Sequence, residues 1–541
     1  MPAFLVPNFD LTHWRGDLFG GVTAAVVALP LALAFGVAAG AGPVAGLYGA
    51  IFVGFFAALF GGTPTQISGP TGPMTVVSAA IFVQFHDQPA AAFTVVMLAG
   101  LLQVLLGMLR FGRLINLVPY PVTSGFMSGI GVIIICMQLE PLLGHAVSRN
   151  AVAALAHLGD DLRHPVGSAV IVGTVAFIVS MFLPKSIGRI VPATLLALLV
   201  GTLLGLFYFH DAPQLGAIPS ALPSLHIPVV PFAQLRDVVL SAAVLAILGS
   251  IDSLLTSLVA DNATRTFHDS DRELVGQGIG NFLAGLGGGL PGAGATIRTL
   301  VNIRSGGRTA LAGMTHALVL LLLVLGLAPL VAHVPHAVLA GILLKVGIDV
   351  IDWPFLRRMP RLPRSATACM LVVLVLTVVI DVITAVAVGL VMASLLFIKE
   401  LADVQAGAIR ALTNAPQEGG ILTDAEAAQL AEGAGRIQLL HLAGPMSFGA
   451  ATEMMRRISN AMQVRVLIVD MTDVPLLDAS AALAIESIIA QAAQSGQRVA
   501  LCGLRPRVAA VIDRLGAGVL ADAPRFGARA EALDFALAAA N

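Results

Sequence analysis

From Leu18 to His86 the chain carries no Asp, Glu, Lys or Arg, and this stretch restricts the protein more than any other feature. A spanning helix needs about 20 apolar residues, so the stretch holds two complete spans and part of a third. Similar runs recur as far as residue 398, and the chain is 57% hydrophobic and 11% charged, with a mean hydropathy of +0.91. This is the composition of an integral membrane protein. A net charge of −1 and a pI near 6.9 give no basic excess, which argues against nucleic acid as a partner. Cys136, Cys369 and Cys502 stand too far apart for a metal spacing or a disulfide framework and read as small buried hydrophobes. The N-terminus, MPAFLVPNFDLTHWRGD, lacks the basic start of a signal peptide, and the run behind it is too long for one. Trp14 and Arg15 suit the headgroup level.

Two segments break the apolar pattern. Gly287–Thr299, GGGLPGAGATIRT, holds five glycines, a proline, two threonines and Arg298, the one charge between Leu274 and Leu300. Gly61–Thr75, GGTPTQISGPTGPMT, has the same character. Irregular backbone at membrane depth survives only where it is buried in protein or lines a cavity. Two such segments at matching places in two halves point to a site where broken half-helices meet, amino ends first. Those ends offer free N–H groups and a positive dipole, which favours an anion. Arg298, roughly one turn into the second half-helix, adds a full charge and a planar fork of donors. The alternative is packing glycines with an arginine held in a structural salt bridge.

The spans fall into two series. The first is Asp17–Ala38, Val44–Gly61, the half-helix after the first broken segment, Ala91–Leu109, Val118–Glu140, Val166–Leu183 and Pro192–Phe209. The Pro-rich connector Ser220–Pro231 separates it from Val238–Ala260, Leu274–Gly288, the half-helix from Ala293, Ala310–Val331, Ala337–Ile351, Ala366–Ile380 and Val382–Ile398. Seven segments per series force the second to insert upside down relative to the first. Loops with Arg110 and Arg113 and with Lys185 and Arg189 read as cytoplasmic. Asp252, with Thr256 one turn later, is the second intramembrane charge that matters. A carboxylate with hydroxyls and carbonyls can hold sodium, or carry a proton, or pair with Arg298. Lys345 and Asp381 read as interfacial, and Glu140 as a helix end of little weight. Asp261, Arg265, Asp269, Asp271, Arg272 and Glu273 read as a solvated loop, and His145, His157 and His164 as scattered loop residues with no metal spacing.

Beyond Leu401 the pattern changes. Leu401–Gly435 reads as a polar connector; RIQLLHLAG, VRVLIVDMT and QRVALCGL read as buried strands, and AATEMMRRISNAM, AALAIESIIAQAAQ and PRVAAVIDRLG as amphipathic helices. The tail is a soluble α/β domain without a Walker A loop, a GxGxxG fingerprint or a catalytic constellation, so the chain is not read as an enzyme.

In order, GDLFGGVTAAVVALPLALAFGVAAGAGP, GGTPTQISGPTGPMT, FMSGIG, DSLLTSLVAD, ELVGQGIGN and GAGATIRTLVNIRSGGRT, followed by DMTDVPLLDAS, resemble the sulfate permease family, also called solute carrier family 26. The resemblance spans essentially the whole chain and is strongest to its cyanobacterial sodium-dependent bicarbonate branch. It implies an α-helical membrane domain over residues 1–400, built as a 7+7 inverted repeat with core and gate subdomains and two half-helices meeting at the midplane. A linker over 401–435 and a cytoplasmic STAS domain over 436–541 follow. It further implies elevator-type alternating access, a homodimer through the membrane and STAS domains, lipid around the spans, and a place in the cytoplasmic (inner) membrane with both termini cytoplasmic.

The implied substrate site lies between the starts of the third and tenth segments. There, backbone N–H groups near Gly72, Pro73 and Met74 and near Ala295, Thr296, Ile297 and Arg298 contact a small inorganic or carboxylate anion. The implied sodium set is Thr71, Asp252, Thr256, Gly294, Ala295 and Thr296. The bicarbonate branch has a small residue where this chain has Arg298, a feature that resembles the sulfate, dicarboxylate and chloride/bicarbonate branches. The glutamate of a proton-coupled branch is Leu31 here. Ser480 matches the phosphorylated position of soluble STAS proteins, although Ala481 replaces the glycine that follows. The reading is a secondary active carrier taking up bicarbonate with sodium. The alternatives are sulfate or dicarboxylate transport with proton coupling or exchange, and an anion channel or STAS-coupled sensor.

Overall fold

A computed structural model describes residues 10–112, 119–148, 150–188, 191–216, 225–229, 234–380, 382–413, 420–447, 464–515 and 523–540. Arg113, Arg189, Asp381, parts of the 220–231 connector and the expected helix over 450–462 lie outside them. The chain divides into two units, Met1–Leu390 and Val391–Asn541.

The membrane unit follows the apolar runs closely. Its first series is α1 (Trp14–Ala38), α2 (Pro43–Phe60), β1 (Ser68–Gly69), the short α3 (Gly72–Gln84), α4 (Pro89–Met108), α5 (Tyr120–Leu142), a surface helix α6 (Ala151–Asp161), α7 (Gly167–Phe182) and α8 (Ala193–Phe207). The second is α9 (Leu235–Thr264), α10 (Ser270–Leu286), β2 (Ala293–Gly294), the short α11 (Thr296–Arg304), α12 (Ala310–Val331), α13 (His336–Val350), α14 (Arg364–Val379) and α15, which begins at Val382 and runs to Gly407. Glycine lets the helices approach closely, as membrane helices must without a hydrophobic drive between them. A Cβ on Gly49 would meet the Leu290 carbonyl oxygen at 2.3 Å, and one on Gly278 the Gly100 oxygen at 2.5 Å.

The helices pack in two groups. α1 to α4 pack with α9 to α12, while α5 to α8 pack with α13 and α14; the groups meet where α1 and α3 touch α5, α8 and α13. Exchanging the two series maps several of these contacts onto one another. α4 on α10 corresponds to α12 on α2, α1 on α12 to α9 on α4, and α7 on α13 to α14 on α5. The repeat is thus present in the packing as well as in the segment order.

Three expectations need correction. His157 lies in α6, whose N-cap Asn150 accepts from the Ala153 amide, rather than in a loop. Asp261 lies within α9, and Asp271 and Glu273 lie buried in α10, so these acids do not belong to a solvated loop. Glu140 is 2% exposed and its carboxylate accepts from Ser148, a structural role that its position beside Pro141 concealed.

The second unit carries a five-stranded sheet in the order β3 (Ile409–Leu412), β4 (Ile437–Ala443), β5 (Val466–Asp473), β6 (Arg498–Cys502) and β7 (Arg525–Phe526). β3 runs antiparallel to β4, and the rest are parallel. α17 (Ala479–Gln494) and α18 (Pro506–Leu515) cover one face, and α16 (Asp424–Glu432) and α19 (Arg529–Ala540) the other. The expected linker over 401–435 therefore supplies an edge strand and a helix, the latter opened by a Thr423–Glu426 capping box.

Candidate functional site

The two broken segments cross and hydrogen-bond to each other. Ser68 pairs with Gly294 and Gly69 with Ala293 in a two-rung antiparallel ladder, which satisfies backbone groups that lipid could not. The ladder extends outward: the Ala295 amide donates to the Ile67 carbonyl at 2.9 Å, and the Thr299 hydroxyl accepts from the Ile67 amide at 3.0 Å. On α10, Asn281 donates to the Gly292 carbonyl at 3.0 Å and accepts from its amide at 2.7 Å. The crossing is held as tightly as a sheet, although it is only two residues wide.

Immediately past the ladder each chain turns into a half-helix. Thr71 is the N-cap of α3 and Ala295 that of α11, both in extended conformation. The first-turn amides of each helix have no intrahelical acceptor. They are Gly72 and Met74 in α3 and Thr296, Ile297 and Arg298 in α11. Pro73 has no N–H and cannot donate; it presets the backbone for the first turn. Ala295, expected among the anion donors, has its amide engaged by Ile67.

Both half-helix starts lie against one turn of α9. The Thr71 hydroxyl donates to Asp252 Oδ2 at 2.7 Å. Four residues further along α9, the Thr256 hydroxyl donates to the Gly294 carbonyl at 2.9 Å and is 2.8 Å from the Thr296 hydroxyl. Asp252 is 7% exposed and Thr256 fully buried. A carboxylate, three hydroxyls and a carbonyl thus converge with oxygen alone, the donor chemistry that hard cations take. Of the residues expected in the sodium set, Thr71, Asp252, Thr256, Gly294 and Thr296 are brought together by these bonds, and Ala295 adjoins them as the N-cap.

Arg298 is 2% exposed, so it faces protein rather than lipid. It makes no ion pair with Asp252. Its Nη2 donates to the Pro70 carbonyl, and its Nη1 lies buried against Gly69 with no hydrogen-bond partner. The side chain of Ile297 is 49% exposed. Over the start of α3, a Cβ on Gly72 would lie 3.0 Å from Ile134 of α5 and 3.6 Å from Val350 of α13, so the second helix group faces the site from that side.

The sulfate permease family profile matches residues 14–373, and a STAS domain profile matches 429–521. The chain belongs to the sulfate permease family. It is 46% identical over 517 residues to the bicarbonate transporter BicA of Synechocystis sp., covering 93% of this chain and 91% of that one. The solved transmembrane domain of a cyanobacterial BicA superposes with a TM-score of 0.68 at 50% identity, covering 70% of this chain and all of that one. SLC26A9 superposes with a TM-score of 0.83 over 98% of the chain at 18% identity, a likeness of fold alone. As a sulfate permease family member the protein is a transmembrane anion transporter with a STAS domain, and not an enzyme.

Sequence reasoning missed Glu273, Gln277 and Asn281, the polar stripe that grips the first broken segment and the ladder. Their spacing of four puts them on one face of α10, and that signal was available in an otherwise apolar run. In the STAS sheet, Ser480 is exposed in the first turn of α17, behind an N-cap formed by Asp478. His441, Asp470 and Cys502 sit side by side on β4, β5 and β6, a row that only strand register creates.

Proposed function

We propose that this sulfate permease family member takes up bicarbonate together with sodium across the cytoplasmic membrane, both termini being cytoplasmic. The observation that carries the reading is the convergence of both half-helix starts on the Asp252–Thr256 turn of α9. The amides of Gly72 and Met74 and of Thr296, Ile297 and Arg298 face an anion, with the Arg298 charge behind them. Thr71, Asp252, Thr256, Gly294, Ala295 and Thr296 hold the sodium ion. The 46%-identical relative from Synechocystis sp. is a bicarbonate transporter.

Electrostatics supplies the coupling. At about 5 Å and an effective dielectric near 20, the Asp252 charge opposes a monovalent anion by about 3 kcal/mol. A bound cation removes that opposition, so each ion tightens the binding of the other. The group made of α1 to α4 and α9 to α12 then moves as an elevator along the group made of α5 to α8, α13 and α14. Residues of the gate helices, Ile134 and Val350 among them, line the track. A homodimer through both units belongs to the same proposal.

The second reading, sulfate or a dicarboxylate with proton coupling or exchange, draws on Arg298. A bidentate grip on such an oxyanion needs two free nitrogens in one fork. Here Nη2 gives one hydrogen to the Pro70 carbonyl while Nη1 has no partner, so the guanidinium keeps donors for any of these oxyanions and uptake must decide among them. Uptake of radiolabelled bicarbonate, sulfate and succinate into proteoliposomes, with and without an inward sodium gradient, separates the readings. Bicarbonate uptake that responds to the gradient supports the proposal; bicarbonate uptake indifferent to sodium overturns the coupling, and sulfate uptake alone overturns the substrate. Flux far above carrier turnover identifies a channel, and binding without flux a sensor.

A further inference from the structure

Against the first broken segment lies a further buried carboxylate that the transport reading does not use. Glu273 of α10 is 1% exposed. Its Oε2 accepts from the Gly62 amide at 3.0 Å and the Thr63 amide at 2.9 Å. Its Oε1 accepts from Gln66 Nε2 at 2.7 Å and Gln277 Nε2 at 2.8 Å. Four donors on two oxygens suit an acceptor-only group. A glutamine in its place would turn an amide nitrogen toward donors on one side.

This arrangement fixes the orientation of one side chain that touches the proposed ion site. With its nitrogen bound by Glu273, Gln66 presents its Oε1 to the Ser257 hydroxyl at 3.1 Å. The same amide lies flat on Gly294, whose added Cβ would meet Gln66 Nε2 at 2.5 Å. Gly294 is the residue whose carbonyl faces Thr256 and whose amide donates to Ser253 at 3.1 Å. Gln277 relays the carboxylate to the opposite strand of the same rung as well, donating to the Ser68 hydroxyl at 2.6 Å.

We propose that Glu273 is a positioning residue for the cation site, acting through Gln66 to hold the Gly294 carbonyl where it can serve the ion. The inference rests on the sodium reading of Asp252, Thr256 and Gly294. Groups bonded directly to a metal ligand alter affinity by about 10- to 100-fold when they are changed, and Glu273, which stands one residue further out, belongs at the lower end of that range. The effect should therefore appear in sodium affinity and not in the anion step.

The test measures bicarbonate uptake by the reconstituted full-length protein as a function of sodium concentration, for wild type, Glu273→Gln and Ser257→Ala. Ser257→Ala removes the hydroxyl that fixes the Gln66 carbonyl and leaves every charge paired, so it serves if Glu273→Gln does not fold. The expected result is a sodium KM raised about tenfold in Glu273→Gln and by a smaller factor in Ser257→Ala. The bicarbonate KM at saturating sodium stays within about twofold of wild type, as linkage requires once the cation site is filled. Sodium KM values equal to wild type in both variants, or a bicarbonate KM at saturating sodium that moves as far as the sodium KM, overturn the proposal. A wild-type protein whose uptake ignores sodium refutes the coupling itself, an outcome visible before any variant is made.

Discussion

Arg298 and Asp252 are the two intramembrane charges that stand out in the sequence, and they do not neutralise each other directly. One is held by a backbone carbonyl and the other by a threonine hydroxyl. Each therefore keeps its charge available to a ligand, which is why replacing them should give separate phenotypes. Arg298→Ala should raise the bicarbonate KM by about tenfold or more in proteoliposome uptake, with the folded protein still eluting as a single species; an unchanged KM assigns the arginine to holding Pro70. Asp252→Asn should remove the sodium response from the same assay, and a normal response clears the carboxylate of any role. That both charges stand apart was legible because a charge in an apolar run is rare, and the structure buries both. Their partners were not, since no periodicity tells which carbonyl a guanidinium will find. Glu273 shows the reverse case, a functional-looking acid hidden by charged neighbours at the helix start. In the STAS unit, burial disfavours ionisation of Asp470, but bonds from His441 and Thr472 and the charge of Arg529 hold its carboxyl well below the usual carboxylate range. Its stabilising contribution is full above the unfolded value near 4 and is lost as pH falls through the folded one. Asp470→Asn should cost about 3 kcal/mol in STAS unfolding at neutral pH, with the loss shrinking in acid. Burial and the neighbouring Asp470 charge push the Cys502 thiol up, so maleimide should label it only after unfolding.

Among the elements, the two-rung β1–β2 ladder constrains the most. Gly69 sits at φ +152°, and a Cβ there would come within 2.8 Å of Arg298 Nη1 and 3.2 Å of Ala50 Cα. Gly69→Ala should therefore lower thermal stability by about 1–3 kcal/mol and depress uptake more than its effect on folding explains; wild-type uptake in that variant would show that the rung tolerates a side chain. The half-helices were legible because glycine and proline cluster only where helices must stop. What failed were short elements whose signal is tertiary. α6 is a surface helix of 11 residues, and β3 is an edge strand of four. Neither has enough length for periodicity to separate it from a loop, and β3 exists because β4 offers it a ladder.

At the scale of the molecule, several packing pairs match between the two series. Segment order announced two series of seven, but only packing reveals that the site belongs wholly to one helix group while the other merely faces it. If transport is motion of one group along the other, fastening α3 to α5 must stop it. Ala79 of α3 and Met137 of α5 line one small cavity, which puts them within reach of a short bridge. In a background with Cys136, Cys369 and Cys502 replaced by alanine, cysteines at 79 and 137 joined by a short bifunctional thiol reagent should abolish uptake, and a cleavable linker should restore it. Full uptake by the joined protein would count against the elevator. The two-rung ladder sets the terms of that motion. On the proposed mechanism the seat for the cation and the seat for the anion are sewn together by the same backbone stitches, and driver and cargo travel as one passenger. A futile trip with half the load then calls for a mismatch of charge and not for a seat that comes loose.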